Sequence, residues 1–488
     1  MKPAYFQTTL EKKPINFISL MKYFTTLFIL FIILLKLHAL GVDNQVSAKI
    51  SAILPKNAQI GIIVKSLNDS QLIYEHNANH LFMPSSTIKI LTAVAALKRL
   101  GPNFTYSTQL LGATNSDTCQ QEDIYLKFSG DPSLTTKDLT KLFSSLTESG
   151  IHHITGDIIY DDLGYNVPTI NDSWMLSDIH NCEMVPITQA IIDENYYHFE
   201  IHPAKTLSEP SVLKTNLGIE PQYKVDNQVI TSSNEDYTWR SYGFVNNVLR
   251  IQGKAGIDLK PQRIELPVDD LDFYIQQNIA QALLENKITL AGKITTGKTP
   301  ENAITLAEHK SATLNTLISN GLKHSHNVPF GALLLQLAAL ENPSTTSWKA
   351  ASNIMAKTLQ SDYSIDLSEA IIDDGIGLSR YNLMSPKQLS DVLIAAYKDP
   401  SISSYFTNTL AQNCSPGKLQ NRLTESNLKG RVYAKTGSMT SISTIAGYLK
   451  TNQNNLLSFV IFVNGFSGKS LPYRNFQDDV CRILIEHL

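Results

Sequence analysis

Two stretches of alternating helix and strand signals enclose a long stretch that reads mostly as short strands. That order confines the chain to an α+β domain interrupted by an inserted unit. On the N-terminal side, residues 60–66 and 71–74 predict two strands around the turn Asn68-Asp69-Ser70. A helix is expected over 86–100, with Pro84 just ahead of it and Gly101 just past it. Ile90, Leu91, Val94 and Leu97 recur there at helical spacing. From about 106 to 288 the pattern changes. Strands are expected at 123–128, 153–160, 197–201, 247–253 and 263–266, and helices at 136–149 and 270–285. The last third alternates again, with helices at 314–322 and 331–340 and strands at 431–449 and 458–463 around the turn 451–455. An amphipathic helix at 473–487 closes the chain. The expected organisation is one discontinuous domain, 44–105 with 289–488, and a strand-rich insertion, 106–288.

The N-terminus has the form of an export signal. Lys12, Lys13 and Lys22 precede an apolar run over 23–35. That length fits the roughly 7–15 residues of a signal-peptide core and falls short of the ~18 of a spanning helix. Leu37-His38-Ala39 follows as a passable cleavage pattern, which makes 1–39 the expected signal peptide and the periplasm the expected compartment. An uncleaved anchor is the plainer alternative, and Met21 is an alternative start. Hydrophobic residues at 43% and charged residues at 17% describe a globular chain, and a net charge of −3 gives no basic excess for a nucleic-acid partner. The four cysteines, Cys119, Cys182, Cys414 and Cys481, lie in no metal-type spacing. In an oxidising compartment they allow three full pairings. Cys481 sits in an apolar helical pattern and is read as buried.

Three short motifs carry chemistry. Ser86-Thr87-Ile88-Lys89 is a Ser-x-x-Lys; the same pattern recurs at Ser19, Ser211, Ser415 and Ser426. What separates Ser86 is its place at the start of an apolar helix, where the helix dipole favours negative charge and Lys89 lies on the same face. A partly desolvated lysine can lose its proton and then deprotonate a serine. Ser325-His326-Asn327 is a Ser-x-Asn in a polar loop between two helices, a pattern also met at Ser66 and Ser232. Lys435-Thr436-Gly437 occurs once, on a predicted strand over 432–443. Its glycine lets a substrate backbone approach that strand. Read singly, the motifs are a capping serine, a loop turn and a strand bulge. In fixed order, on helix start, interhelical loop and strand, they make the Ser-Lys form of acyl-transfer catalysis.

In this context the three motifs resemble the active-site triplet of penicillin-binding proteins and serine β-lactamases. The long interval between Ser86 and Ser325 is similar to that of the class C, low-molecular-mass penicillin-binding proteins, the DacB-like D-alanyl-D-alanine carboxypeptidase/endopeptidase family. Gly130-Asp131-Pro132-Ser133-Leu134 and Asp374-Gly375-Ile376-Gly377-Leu378-Ser379-Arg380-Tyr381-Asn382 resemble further segments of that family. Ile376 stands where the family has serine, and His326 and the stretch 328–331 also depart from it.

The resemblance implies a penicillin-binding/β-lactamase-like domain, an antiparallel sheet with helices. It also implies a set of roles. Ser86 is the nucleophile, Lys89 the general base and Ser325 the proton relay. Asn327 orients Lys89. Lys435, Thr436 and Gly437 bind substrate, with the terminal carboxylate on Lys435 and Thr436. The backbone N–H groups of Ser86 and Ser438 hold the oxyanion. Peptidoglycan stem peptides are the implied substrates and β-lactam antibiotics the covalent inhibitors, with no metal or organic cofactor required. Peripheral attachment to membrane or wall and a homodimer are left open. The rival readings are a β-lactamase, a non-catalytic wall-binding scaffold of the same fold, and a structural protein with chance motifs.

Overall fold

The computed structural model describes residues 45–488 except 113–119, 166–167, 176–177, 179–183, 216–218, 220, 234–237, 246–247 and 342–346. The expected signal peptide, Cys119 and Cys182 lie outside the described residues.

The sheet that carries the third motif has six antiparallel strands. Their order is Ala411–Gln412, Val432–Met439, Ile442–Lys450, Leu456–Asn464, Gln59–Ser66 and Leu72–His76. Among the described residues the first strand therefore pairs with the last, which closes the domain across the insertion. Period-two alternation splits each central strand between two cores. Leu457, Phe459, Ile461 and Val463 face one core with Ile60, Ile62 and Val64, and the terminal helix Leu471–His487 covers it. Val460 and Phe462 face the other with Ala446 and Tyr448, under the helices Lys89–Leu100, Leu314–His324, Val328–Ala339, Trp348–Tyr363 and Pro386–Lys398.

Several expectations change in detail. The span expected as one strand over 431–449 is a hairpin that turns at Thr440-Ser441, with Ser441 at φ +66°. The expected strand 153–160 breaks into His153–Ile154 and Ile158–Asp161. The strands near 247–253 and 263–266 belong to different sheets. The helix expected from Gly331 starts at Val328, because Pro329 sits in its first turn, where no backbone N–H has an intrahelical partner. Helices Trp348–Tyr363 and Pro386–Lys398 were not anticipated. The second of these carries a full capping box, Ser385 with Gln388, and a proline at its start.

The insertion ends later than the expected residue 288. Strand Ile304–Lys310 pairs antiparallel with Ser107–Gly112 at the edge of a five-stranded sheet that also holds Ile124–Lys127, Ile158–Asp161 and Ile294–Thr296. Backbone hydrogen bonding therefore ties residues up to Lys310 to the inserted unit. Helices Thr136–Glu148 and Leu271–Glu285 pack into its separate core. Two further three-stranded sheets extend it: Lys224–Ser232 with Val248–Gly256 and Thr238–Val245, and Gln262–Pro267 with Tyr196–His202 and Val212–Thr215.

Candidate active site

Ser86 lies in a single 3₁₀ turn, Ser85–Ile88, that runs directly into helix Lys89–Leu100. The turn is held from outside. The Pro84 carbonyl accepts from Thr87 Oγ1 at 2.6 Å and from Thr444 Oγ1, on the sheet, at 2.8 Å. Ser85 is forced to φ +49°, a region that non-glycine residues enter at a cost, and its buried hydroxyl has no partner among the described residues. Local strain is concentrated at the residue before the nucleophile.

Lys89 is 0% exposed, and three acceptors surround its amine: Ser86 Oγ at 3.1 Å, Asn327 Oδ1 at 2.9 Å and the Ile376 carbonyl at 2.6 Å. A neutral amine there gives its two N–H groups to Asn327 and Ile376 and points its lone pair at the serine hydroxyl. That is the arrangement of a general base. The ring of Phe330 lies 5.8 Å from the same nitrogen.

Ser325 is the left-handed C-cap of helix Leu314–His324, at φ +66°, and Asn327 opens the next helix. The Ser-x-Asn therefore bridges two helix ends and turns both side chains into one cleft. Lys435 Nζ donates to Ser325 Oγ at 2.8 Å and to the Thr436 carbonyl at 2.6 Å. Burial pushes the Lys435 amine well below the usual lysine range, and the charges of Lys89 and Lys418 push it the same way. Lys435 is 0% exposed and absent from the cleft lining. It thus faces Ser325, while Thr436 and Ser438 line the cleft.

Two glycines set the spacing. A Cβ on Gly437 would stand 2.3 Å from Thr444 Oγ1 and 3.0 Å from Ser86 N, so this strand approaches the nucleophile only without a side chain. Gly377, at φ +90°, would place a Cβ 2.3 Å from the Ser85 carbonyl oxygen. Strand Val432–Met439 pairs with its outer neighbour only at Tyr433 and Ala434. From Lys435 to Met439 that edge is open toward the cleft among the described residues, where an extended substrate can add as a strand.

The segment 374–382 is organised by one carboxylate. Buried Asp374 accepts from the backbone N–H groups of Ile376, Gly377, Leu378 and Ser379 at 2.6–3.2 Å, from Asn382 Nδ2 at 2.8 Å and from Trp174 Nε1 at 2.7 Å. This nest presents the Ile376 carbonyl to Lys89. Because the backbone makes that contact, isoleucine in place of the family's serine leaves it intact. The buried Ile376 side chain packs where Gly331 makes room: a Cβ on Gly331 would lie 3.1 Å from Ile376 Cδ1 and 2.4 Å from Ile187 Cδ1. Phe330 fills the notch left by Gly321. The departures at 328–331 and at Ile376 are therefore one packing solution.

His326, the third departure, turns away from the reaction centre. Its Nδ1 lies 3.0 Å from Glu194 Oε1 of the insertion, and that carboxylate holds the imidazole above its usual range. Glu194 is the middle of three successive left-handed residues, Asp193 to Asn195. Cys414 and Cys481 are both free thiols, and burial pushes Cys481 up to about 12.

The cleft, about 630 Å³, brings together Ser86, Ser325, Asn327, Thr436, Gly437 and Ser438. It also has lining that sequence reading did not single out as site residues: Asp178, Arg380, Lys418, Arg422 and Arg474. Arg380 falls inside a recognised segment. Lys418, Arg422 and Arg474 come from a loop and the terminal helix; Lys418 closes the Ser-x-x-Lys match at Ser415, and Arg422 and Arg474 carry no local pattern.

Known proteins share this architecture over nearly the whole chain. The D-alanyl-D-alanine carboxypeptidase DacB of Haemophilus influenzae is 27% identical over 424 residues, 86% of this chain and 88% of its own. The crystal structure of penicillin binding protein 4 (dacB) from Haemophilus influenzae superposes with a TM-score of 0.77 at 26% identity, covering 91% of this chain and 99% of that one. The same protein complexed with a β-lactam superposes at 0.72, with the same identity and coverage. A penicillin-binding, β-lactamase-like α+β fold is therefore the fold of this chain. The profile of the D-Ala-D-Ala carboxypeptidase 3 (S13) family matches residues 44–484, and the chain belongs to that family.

Proposed function

We propose that this chain is a serine-type D-Ala-D-Ala carboxypeptidase/endopeptidase that cleaves peptidoglycan stem peptides through an acyl-enzyme on Ser86, and that β-lactams inhibit it by acylating the same oxygen. The observation that carries the reading is the placement of Lys89 Nζ, 3.1 Å from Ser86 Oγ and held by Asn327 and the Ile376 carbonyl. Ser86 Oγ attacks the carbonyl of the penultimate D-alanine while Lys89 takes its proton. The backbone N–H groups of Ser86 and Ser438 hold the oxyanion. The C–N bond breaks as Ser325, 2.8 Å from Lys435 Nζ, passes a proton to the leaving amine. Thr436 and Ser438 receive the carboxylate beside the scissile bond. Water, activated by Lys89, then releases the acyl group.

Intact-protein mass spectrometry after incubation with benzylpenicillin tests this directly. One adduct of the antibiotic's mass is expected on the wild type and none on Ser86→Ala. An adduct that survives in the variant removes Ser86 as the nucleophile. The compartment proposed for this chemistry is the periplasm, supported by the basic residues and apolar run at the N-terminus; fractionation of the expressing cell checks it.

A further inference from the structure

The charges around the cleft are lopsided. Arg380, Lys418, Arg422 and Arg474 line it, and among the described lining residues Asp178 is the only acid. Arg422 is already neutralised and pinned. Its Nε lies 3.0 Å from Asp478 Oδ1, and its Nη2 donates to Gln477 Oε1 at 3.2 Å and to the Arg474 carbonyl at 3.1 Å. Lys418 and Arg474 differ: both are exposed, and among the described residues neither side chain has a hydrogen bond or ion pair. Two unpartnered cations facing one cleft form a local positive field available to a ligand.

Their position says which part of a ligand they meet. Lys418 donates its backbone N–H to the Lys323 carbonyl at 2.9 Å, two residues before Ser325, so it stands beside the group that protonates the leaving amine. Arg474 stands on the terminal helix less than one turn from Gln477. Gln477 Nε2 donates to Ser443 Oγ at 3.1 Å, and Ser443 is the cross-strand partner of Ser438. The cationic group is thus reached from Ser438 by one cross-strand step and two successive hydrogen bonds. It therefore lies across the neighbouring strand from the place proposed for a carboxylate adjoining the scissile bond.

We infer that Lys418 and Arg474, braced by Arg422, form a subsite on the leaving-group side for a second carboxylate of the substrate. A free D-alanine leaving group carries one carboxylate, next to the broken bond, and does not extend so far. In a cross-linked stem peptide the scissile nitrogen belongs to the side chain of a diamino acid, and the departing half carries further carboxylates several bonds along. The subsite therefore selects cross-linked peptides and weights the enzyme toward endopeptidase action. This rests on the acyl-enzyme reading above.

The test uses a pair of synthetic cross-linked peptides that differ in one group. Both keep the carboxylate beside the scissile bond; the distal carboxylate of the leaving half is free in one and amidated in the other. At low ionic strength the wild type is expected to show a kcat/KM about tenfold higher for the free acid, a preference that shrinks as salt screens the site. In Lys418→Gln/Arg474→Gln the ratio is expected to fall to near one, and each single variant to fall between. Benzylpenicillin labelling of every protein reports folding and acylation separately from this preference. A wild type that labels yet cleaves both peptides equally overturns the inference, as does a labelling double variant that keeps the preference. A wild type that does not label removes the acyl-enzyme reading and the inference with it.

Discussion

The insertion has two parts that relate to the cleft in opposite ways. Its outer sheet, Lys224–Ser232, Thr238–Val245 and Val248–Gly256, buries Val229, Leu249, Ile251 and Ala255 in the insertion's own core. Its inner segment, the described residues from Tyr165 to Tyr196, keeps Ala190 and Ile192 in that core and turns its larger side chains away from it. Tyr165, Trp174, Met184, Val185, Ile187 and Ile191 are buried with the catalytic helices. Tyr165 donates to Gln336 at 3.0 Å, Trp348 to the Pro168 carbonyl at 3.0 Å, and Ser173 to Asp373. Trp174 packs tilted against Trp348, with ring centroids 5.3 Å apart, and donates into the Asp374 nest. The nest presents the Ile376 carbonyl to Lys89. An unbroken series of contacts therefore runs from the inner segment to the general base, whereas the outer sheet's buried residues belong to the other core. An inserted unit need not be a passenger; here one stretch of it completes the wall of the site.

The largest expected effect lies at the receiving end of that series. Gly377→Ala puts a Cβ 2.3 Å from the Ser85 carbonyl at φ +90°. It displaces the turn that carries Ser86, and a shift of about 1 Å at a reacting group costs roughly 100-fold. The benzylpenicillin acylation rate constant, read by stopped-flow or timed mass spectrometry, should drop by about that factor. Asp374→Ala leaves four backbone N–H groups in a buried loop without their acceptor. It should lower stability by about 3–5 kcal/mol in a denaturant titration, with acylation falling alongside. Near-wild-type acylation in either variant would cut the link between the nest and Lys89.

Trp174→Phe is the sharper probe, because it removes one N–H donor from the insertion side and touches no residue of the cleft centre. Loss of one bond to a buried carboxylate costs about 1.5–3 kcal/mol. Acylation should slow by about 5- to 30-fold, with the stoichiometry of labelling unchanged. An unchanged rate would make the inner segment a structural filler like the outer sheet.

Much of the reaction centre was legible in the sequence because its chemistry is written in short local patterns. Ser86 and Lys89 are three residues apart, and Ser325 and Asn327 two apart, at a helix end. What escaped was whatever depends on distant segments meeting. Nothing near Lys435 says that it will be fully buried and turned to Ser325, or that the Ile376 backbone matters and its side chain does not. The hairpin at Thr440-Ser441 was missed for a related reason. Strands buried on both faces read as one apolar run, and the turn carries no glycine, asparagine or aspartate to mark it. The boundary at Lys310 is set by pairing with Ser107–Gly112, nearly two hundred residues earlier in the chain, so no local composition shift announces it.

A smaller effect is expected at the second point where the insertion meets the cleft. Glu194 holds His326 above the usual imidazole range. Glu265 acts in the same direction, and Lys418 and burial act against it. The sign follows from the raised value. The ion pair is fully present below the ordinary imidazole value of about 6.5 and is lost as pH rises through the higher value in the folded chain. Glu194→Gln should therefore acylate more slowly than wild type by about two- to fivefold at pH 6, and the two rates should converge as the medium turns alkaline. A ratio that does not change with pH would show that the contact acts by packing alone.

The smallest effect on catalysis belongs to the outer sheet. Ile251 is fully buried in the insertion's core, on a strand paired with Lys224–Ser232 on one side and Thr238–Val245 on the other. Ile251→Ala deletes buried methyl groups from that core and should cost about 2–5 kcal/mol. Among the described residues it belongs to the insertion's core, apart from the cluster that holds Trp174 and Ile376. Stability should therefore fall by an amount comparable to Trp174→Phe or more, while the acylation rate constant stays within twofold of wild type under native conditions. That separation, equal or greater damage to folding with no damage to chemistry, distinguishes a specific route to Lys89 from a general weakening of the molecule. If Ile251→Ala slows acylation as much as Trp174→Phe does, the two parts of the insertion act on the cleft as one body and the contrast between them fails.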